Sequence, residues 1–119
     1  MKQKRVSFIY KKKKISLNAF ECVGNERMRG LTFRRRKNAR ALLFEFDELC
    51  REPIHSIFVF FPFVGVWLDG KRLVGIKIVK SFLPFIRPKR PFDRLIEIPL
   101  SDKYKKEVAL IVGKERFKN

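Results

Sequence analysis

Apolar positions fall into short runs of the kind that form β-strands, and no long helical period is present. The most apolar stretch, residues 54–79, reads IHSIFVFFPFVGVWLDGKRLVGIKIV. A proline separates its first run, 54–61, from a second, 63–68, and Asp69-Gly70 separates the second from a third, 72–79. Asp-Gly between β-rich segments favours a two-residue hairpin, because these residues tolerate the positive φ of a type I′ turn. We therefore predict a buried strand followed by a hairpin.

The rest of the chain predicts further short elements. Strands are expected at residues 6–10, 15–23, 41–46, 94–98 and 108–112, and segment 81–86 is expected to be extended but broken by its proline. A brief helix is expected to begin near Glu26, after Asn25 as its cap, and Ser101 is expected to cap a turn. These elements predict a mainly β (α+β) fold: a small β-barrel or rolled antiparallel sheet with one or two short helices.

The 119 residues are enough for one domain with a real core. We predict a basic N-terminal arm or edge strand at residues 1–14, a single β-rich domain at 15–113, and a basic tail at 114–119. The longest apolar run, 57–68, contains a proline, whereas a membrane-spanning helix needs about 20 apolar residues. No signal peptide is evident, so a cytoplasmic location is expected. Few Asn and Gln beside abundant Lys, Arg and Glu favour a thermophile.

Net charge is the strongest functional signal in the composition. Lys and Arg number 29 against 12 Asp and Glu, which gives a formal charge of +17. Self-repulsion on this scale indicates a polyanionic partner that neutralises it. Nucleic acid is the first candidate. A membrane surface is the second, but neither a basic amphipathic helix nor a lipidation signal supports it.

Three basic segments are the best candidates for phosphate contact. The first is the run of four consecutive lysines at 11–14, which cannot be buried. The second is the 34–40 segment, which is rich in guanidinium groups that form bidentate pairs with phosphate. The third is the loop at 87–91, which two prolines pre-organise. A solvated loop is the alternative for the 34–40 segment. The predicted RNA-binding residues are Lys2, Lys4, Arg5, Lys11, Lys12, Lys13, Lys14, Arg34, Arg35, Arg36, Lys37, Arg40, Arg87, Lys89, Arg90, Lys114, Arg116 and Lys118.

Catalytic and metal chemistry have little support in the sequence. Cys22 and Cys50 match no zinc-binding spacing, and His55 is the single histidine. Glu45 and Asp47 would share one strand face, which suits a metal-binding pair, but without a third ligand an ion-paired role is favoured. No catalytic residue, metal or cofactor is therefore expected.

Several separated blocks resemble a known family. Residues 29–34 (RGLTFR), 41–46 (ALLFEF), 54–69 and 82–98 occur in the order found in the domain of unknown function 192 family. The resemblance extends from about residue 20 onward and implies a small, mainly β fold without an established activity. Where the family pattern has a methionine, then a polar residue and, after F-P-I, an aspartate, this chain has Val59, Phe60 and Val64, followed by Gly65. The departure implies that a family pocket has lost its polar lining.

The favoured interpretation is a structural RNA-binding protein, most plausibly ribosomal or ribosome-associated in an archaeal thermophile. Its expected partners are structured RNA, above all rRNA, and neighbouring ribosomal proteins, with no membrane and no small-molecule ligand. A free DNA- or RNA-binding regulator is the second hypothesis; it calls for a recognition helix, and the sequence predicts none. An enzyme or small-ligand protein is the third, with Glu45, Asp47, His55 and Asp69 as its only polar candidates.

Overall fold

Six strands form one sheet in the computed structural model, which describes residues 2–22, 39–54, 59–81 and 86–112. The strands are β1 (Gln3–Tyr10), β2 (Lys13–Glu21), β3 (Leu42–Cys50), β4 (Phe63–Asp69), β5 (Arg72–Val79) and β6 (Phe92–Pro99); a 3-10 turn (Asp102–Tyr104) and a helix, α1 (Lys105–Val112), follow. Their order is β1-β2-β3-β6-β4-β5. The mainly β class is confirmed, but the sheet is mixed, because β2 and β3 pair in parallel.

The sheet curls into a half-barrel, so that the outermost strands β1 and β5 come into contact. Its inner face buries a core of aliphatic side chains from β1, β2, β4 and β6. Helix α1 and the turn before it close this core with Tyr104, Val108 and Ile111. The Ala41 N–H donates to the Tyr104 hydroxyl at 2.6 Å, which fixes the turn against the start of β3.

A second core lies on the outer face of β3, β6, β4 and β5. Trp67 and Phe92 are fully buried there, with ring centroids 6.4 Å apart in an edge-to-face arrangement. Burying both faces of these strands explains why β4 is an almost continuous apolar run instead of an alternating one.

The strand predicted at residues 108–112 is wrong, because this segment lies in helix α1. Tyr104, Val108 and Ile111 are the buried positions, and their spacing of four and then three residues is that of one helical face. The helical spacing is not visible within residues 108–112, which are mostly β-branched, because Tyr104 lies outside this segment.

The strand predicted at residues 54–61 is also wrong in its described part. Ile54 makes only an isolated bridge with Ile86, through backbone hydrogen bonds of 2.7 and 2.8 Å. Val59 and Phe61 are buried in the second core without belonging to a strand. An apolar run therefore indicated burial correctly here, but burial does not require a strand.

The type I′ turn occurs in the β1–β2 hairpin and not, as predicted, in the β4–β5 hairpin. Between β4 and β5, Asp69 pairs with Arg72, so the central residues are Gly70 and Lys71, and of these only Gly70 (φ 60°) has positive φ. A positive φ at the first central position alone is the type II′ pattern. The pair with positive φ at both positions is Lys11 (49°) and Lys12 (67°), between β1 and β2.

The remaining predictions concern the other strands, the Ser101 cap and a helix. The strands predicted at 6–10, 15–23, 41–46 and 94–98 correspond to β1, β2, β3 and β6, most of them longer than expected. Ser101 precedes the 3-10 turn, but its side chain accepts no capping hydrogen bond. The helix predicted near Glu26 lies outside the described residues. No helix in the described part of the chain is long and apolar enough to cross a membrane.

Candidate nucleic-acid interface

Strands β1 and β2 form a two-stranded ribbon, most of which is hydrogen-bonded to no other strand in the described part of the chain. The two strands pair over their full length, whereas β2 pairs with β3 only at Phe20 and Glu21. One face of the ribbon, its inner face, packs into the first core through Val6, Phe8 and Leu17, each 2% exposed. This packing holds the ribbon in place along its length.

The opposite face, which we call the outer face of the ribbon, carries polar side chains. Arg5 lies across from Asn18 and donates to its side-chain oxygen at 3.4 Å. Further along the ribbon Ser7 lies across from Ser16, and Ile9 across from Lys14. None of these six side chains is buried, and Ile9 is 58% exposed. The aromatic core on the outer face of the other strands thus does not extend over this surface.

Lysines form the turn at the end of the ribbon. Lys11, Lys12, Lys13 and Lys14 are all exposed, and none forms an ion pair within the described ranges. The Lys11 ammonium lies 5.3 Å from the centre of the Tyr10 ring, a cation–π contact. Residues other than glycine adopt the left-handed conformation at a cost of about 1–2 kcal/mol each, so this turn is strained. We call residues 11–14 the lysine tip.

The remaining predicted cations near the ribbon have different surroundings. Lys4 is 3.2 Å from a carboxylate oxygen of Glu45 and 3.9 Å from one of Glu21. Its charge is therefore largely neutralised within the protein. The Arg40 guanidinium lies 5.2 Å from the centre of the Phe20 ring, at the base of the ribbon's outer face. Lys2 is exposed beside the start of β1.

The basic loop at residues 87–91 is anchored by more than its two prolines. The Pro88 carbonyl accepts from the Arg51 guanidinium at 3.3 Å, and the Arg87 carbonyl accepts from the Lys77 ammonium at 2.9 Å. Pro88 also packs closely on Gly75 of β5, where an added Cβ would lie 3.1 Å from the proline. Lys89 and Arg90 remain exposed. Since this loop precedes β6, which runs in the same direction as β1, it lies at the opposite end of the sheet from the lysine tip.

Not all predicted site residues can be placed. Those outside the described residues are Arg34, Arg35, Arg36, Lys37, Lys114, Arg116 and Lys118, and His55 is outside them as well. Glu45 has the ion-paired role that its sequence favoured, with Lys4 and with Arg94 at 3.7 Å. No group of three metal-ligating side chains occurs within the described ranges.

Sequence reasoning missed the outer face of the ribbon. Ser7, Ser16 and Asn18 were not considered, because uncharged polar residues carry no charge signal. The pattern that identifies them is present in β2, where Lys14, Ser16 and Asn18 alternate with buried apolar residues. Among the described residues, the exposed cations outside the predicted set are Arg51, Lys71, Arg72, Lys77, Lys80, Lys103, Lys105 and Lys106.

Glu97 is a buried acid that the sequence did not reveal. It is 5% exposed and lies opposite Gly65 of β4, and burial raises its pKa from 4.5 to about 8. The Trp67 ring lies over the same glycine, where an added Cβ would come within 2.7 Å of it. The indole N–H is buried and has no hydrogen-bond partner among the described residues. We interpret this buried carboxyl as a determinant of stability.

Fold and surface together define a small β half-barrel with a basic, polar ribbon. Among solved structures, this chain is similar to a proposed transcription regulator from Sinorhizobium meliloti 1021. The TM-score is 0.70 and the sequence identity 19%, over 88% of this chain and 85% of that chain. It is also similar to a protein of unknown function from Novosphingobium aromaticivorans DSM 12444, with a TM-score of 0.68, 12% identity, and coverage of 87% and 77%. No family profile and no curated protein matches the chain. At these identities the likeness concerns the fold alone.

Proposed function

We propose that this protein binds nucleic acid and that the lysine tip contacts its phosphates. The observation that carries the proposal is the exposure of Lys11, Lys12, Lys13 and Lys14 at the end of a ribbon, with no carboxylate paired to them in the part of the chain that the structure describes. The net charge of +17 supports it, since phosphate contacts release counterions and so favour binding. Lys89 and Arg90 provide a second contact at the opposite end.

Among the kinds of nucleic-acid-binding protein, a free cytoplasmic protein without a catalytic role is supported best. An exposed polar ribbon supports it, because a β-ribbon is an alternative to the recognition helix that the sequence lacks. A neighbour of similar fold is named as a proposed transcription regulator, which agrees with this kind of protein. A ribosomal or rRNA-bound role stays a prediction from charge and size, and membership of the domain of unknown function 192 family stays a prediction as well.

Salt dependence of binding tests the proposal. The affinity for a 24-base-pair DNA duplex and for a folded RNA is measured over a range of salt concentrations. The slope of log affinity against log salt should be steep and should fall by about 0.9 per contacted duplex phosphate, or about 0.7 on single strands, when a contacting lysine is removed. Lys13→Gln with Lys14→Gln is the variant to compare, because these strand positions do not have positive φ.

The matched control removes two cations from the other hairpin, by Lys71→Gln with Arg72→Gln. Both residues are exposed beside the Gly70 turn. The control, at the opposite end of the sheet from the lysine tip, should lower the slope less than the lysine-tip variant does. A nearly flat slope for the unchanged protein, or an equal loss in the two double variants, would contradict a phosphate-binding role of the lysine tip.

A further inference from the structure

We propose that the outer face of the ribbon enters the major groove of double-stranded B-form DNA and reads base edges there. This inference rests on the proposed nucleic-acid binding and adds to it the type of nucleic acid and a source of sequence preference. It concerns Arg5, Ser7, Ser16 and Asn18, with Ile9 beside them.

The chemistry of these side chains suits base edges. An arginine fork donates to the two acceptors of guanine, an asparagine amide both donates to and accepts from adenine, and serine can contact either base. Arg5 and Asn18 are exposed and held side by side by their 3.4 Å hydrogen bond. Ile9, which is 58% exposed, can contact the methyl group of thymine.

The dimensions of the ribbon also suit a duplex. Alternate residues along a strand are about 6.8 Å apart, and base pairs are stacked about 3.4 Å apart, so neighbouring cross-strand pairs are spaced by about two base pairs. Three successive pairs, Arg5 with Asn18, Ser7 with Ser16 and Ile9 with Lys14, lie on this face. The ribbon therefore presents side chains to about four to six base pairs.

Charge flanks the reading face at both ends. The lysine tip lies beyond Ile9 and Lys14, and Arg40 lies over Phe20 at the base of the same face. In protein–DNA complexes, phosphate contacts fix the register while side chains in the groove read the sequence. Cations at the ends of the ribbon and uncharged polar groups at its middle match this division.

Duplex DNA fits this surface better than RNA does. The major groove of B-form DNA is about 12 Å wide and admits a two-stranded ribbon, whereas the major groove of A-form RNA is too deep and narrow for side chains to read. Recognition of single strands depends on aromatic side chains that stack on bases. The only aromatic side chain on the described ribbon's outer face is Phe20, which Arg40 covers.

Selection from a library of 24-base-pair duplexes with a randomised 10-base-pair core tests the inference. The full-length protein should enrich a short preferred sequence, which is then compared with a scrambled duplex. Asn18→Ala should weaken binding to the preferred duplex by about 5- to 150-fold and leave binding to the scrambled duplex unchanged, since a bidentate base contact discriminates by about 1–3 kcal/mol.

Arg5→Lys is the more discriminating variant, because it keeps the charge but lacks the planar fork. We expect it to lose preference for the selected sequence while its salt slope stays the same. Thermal unfolding of both variants shows whether they fold. Loss of binding to both duplexes in parallel, in a folded Arg5→Lys protein, would mean that Arg5 contacts phosphate, and would overturn its assignment as a base reader.

The outcomes separate this inference from the proposed function. If no sequence is enriched but binding to any duplex still depends on Lys13 and Lys14, base reading is excluded and phosphate binding stands. If a parallel selection on folded RNA gives a preferred sequence and the duplex selection does not, the assignment to DNA is wrong. If binding to every nucleic acid is indifferent to the lysine tip, the proposed function itself fails.

Discussion

The two tight hairpins in the described part of the chain have the same topology and opposite chemistry. Both join antiparallel strands through two central residues. The β4–β5 turn has Gly70 where φ is positive, and β6 stabilises it: the Gly70 N–H donates to Asp93 at 2.9 Å and its carbonyl accepts from Arg94 at 3.4 Å. The β1–β2 turn places Lys11 and Lys12 at positive φ instead. One hairpin is built for stability, whereas the other retains strain and charge where a ligand could use them.

The largest expected effect is a pH dependence of the free energy of unfolding that Glu97 causes. Its folded pKa of about 8 exceeds the value of 4.5 in the unfolded chain, so unfolding releases a proton between these values. Stability is therefore fully present below about pH 4.5 and falls as pH rises through 8, by up to about 4–5 kcal/mol. The group responsible lies beside β4, on β6, and not in the β1–β2 ribbon.

Urea unfolding at pH 5, 7 and 9 measures this effect. Glu97→Gln should remove most of the decline in free energy of unfolding between pH 5 and 9. Glu52→Gln, at an exposed carboxylate, serves as the control and should follow the unchanged protein at each pH. An equally steep decline in the Glu97→Gln protein would show that another group is responsible.

Relief of strain in the lysine tip should have the next largest effect. Lys11→Asn with Lys12→Gly places in this turn the pair that type I′ geometry prefers. We expect the free energy of unfolding to rise by roughly 1–3 kcal/mol, since each left-handed lysine costs about 1–2 kcal/mol. Binding to DNA or RNA should weaken, because two cations are lost.

The corresponding change in the other turn is the control for that prediction. Lys71→Asn alters a central turn residue that does not have positive φ, so stability should change by less than about 0.5 kcal/mol. Thermal or denaturant unfolding of the two proteins gives the comparison. A similar rise in both would indicate a general effect of removing positive charge and not relief of backbone strain.

Removal of the Asp93 side chain should have the smallest effect. Asp93→Ala leaves the Gly70 N–H without its acceptor, but the turn is exposed and water can replace the carboxylate. We expect a loss of about 0.5–1.5 kcal/mol. Amide hydrogen exchange should show faster exchange at Gly70, with the β1–β2 hairpin unchanged. Faster exchange in both hairpins would mean that they are not independent.

Local pattern was sufficient for most of the sheet. Alternating burial in β1 and β2, and apolar runs around Gly70, are read from neighbouring residues alone. The parallel pairing of β2 with β3 could not be read in this way, because it depends on which strands meet after the chain has folded. Helix α1 was missed for a similar reason: its β-branched residues favour strands locally, and burial against the first core decides for the helix.

The candidate site was predictable in its charges and unpredictable in its geometry. Exposure of the lysine tip follows from four consecutive lysines. The positive φ of Lys11 and Lys12 does not, because no residue preference favours it there and the twist of the paired strands imposes it. Likewise the sequence could not show that Lys4 is neutralised, since its partners Glu21 and Glu45 come from distant strands.

The period of two along the ribbon has a consequence for how such a protein could change over generations. Residues that hold the ribbon to the core, such as Val6 and Leu17, are interleaved with surface residues such as Arg5 and Asn18. Substitution at the surface positions leaves every packing contact in place. Mutation of the surface positions, in nature or in a designed library, should therefore alter binding preference with little effect on folding, as long as the buried positions are kept.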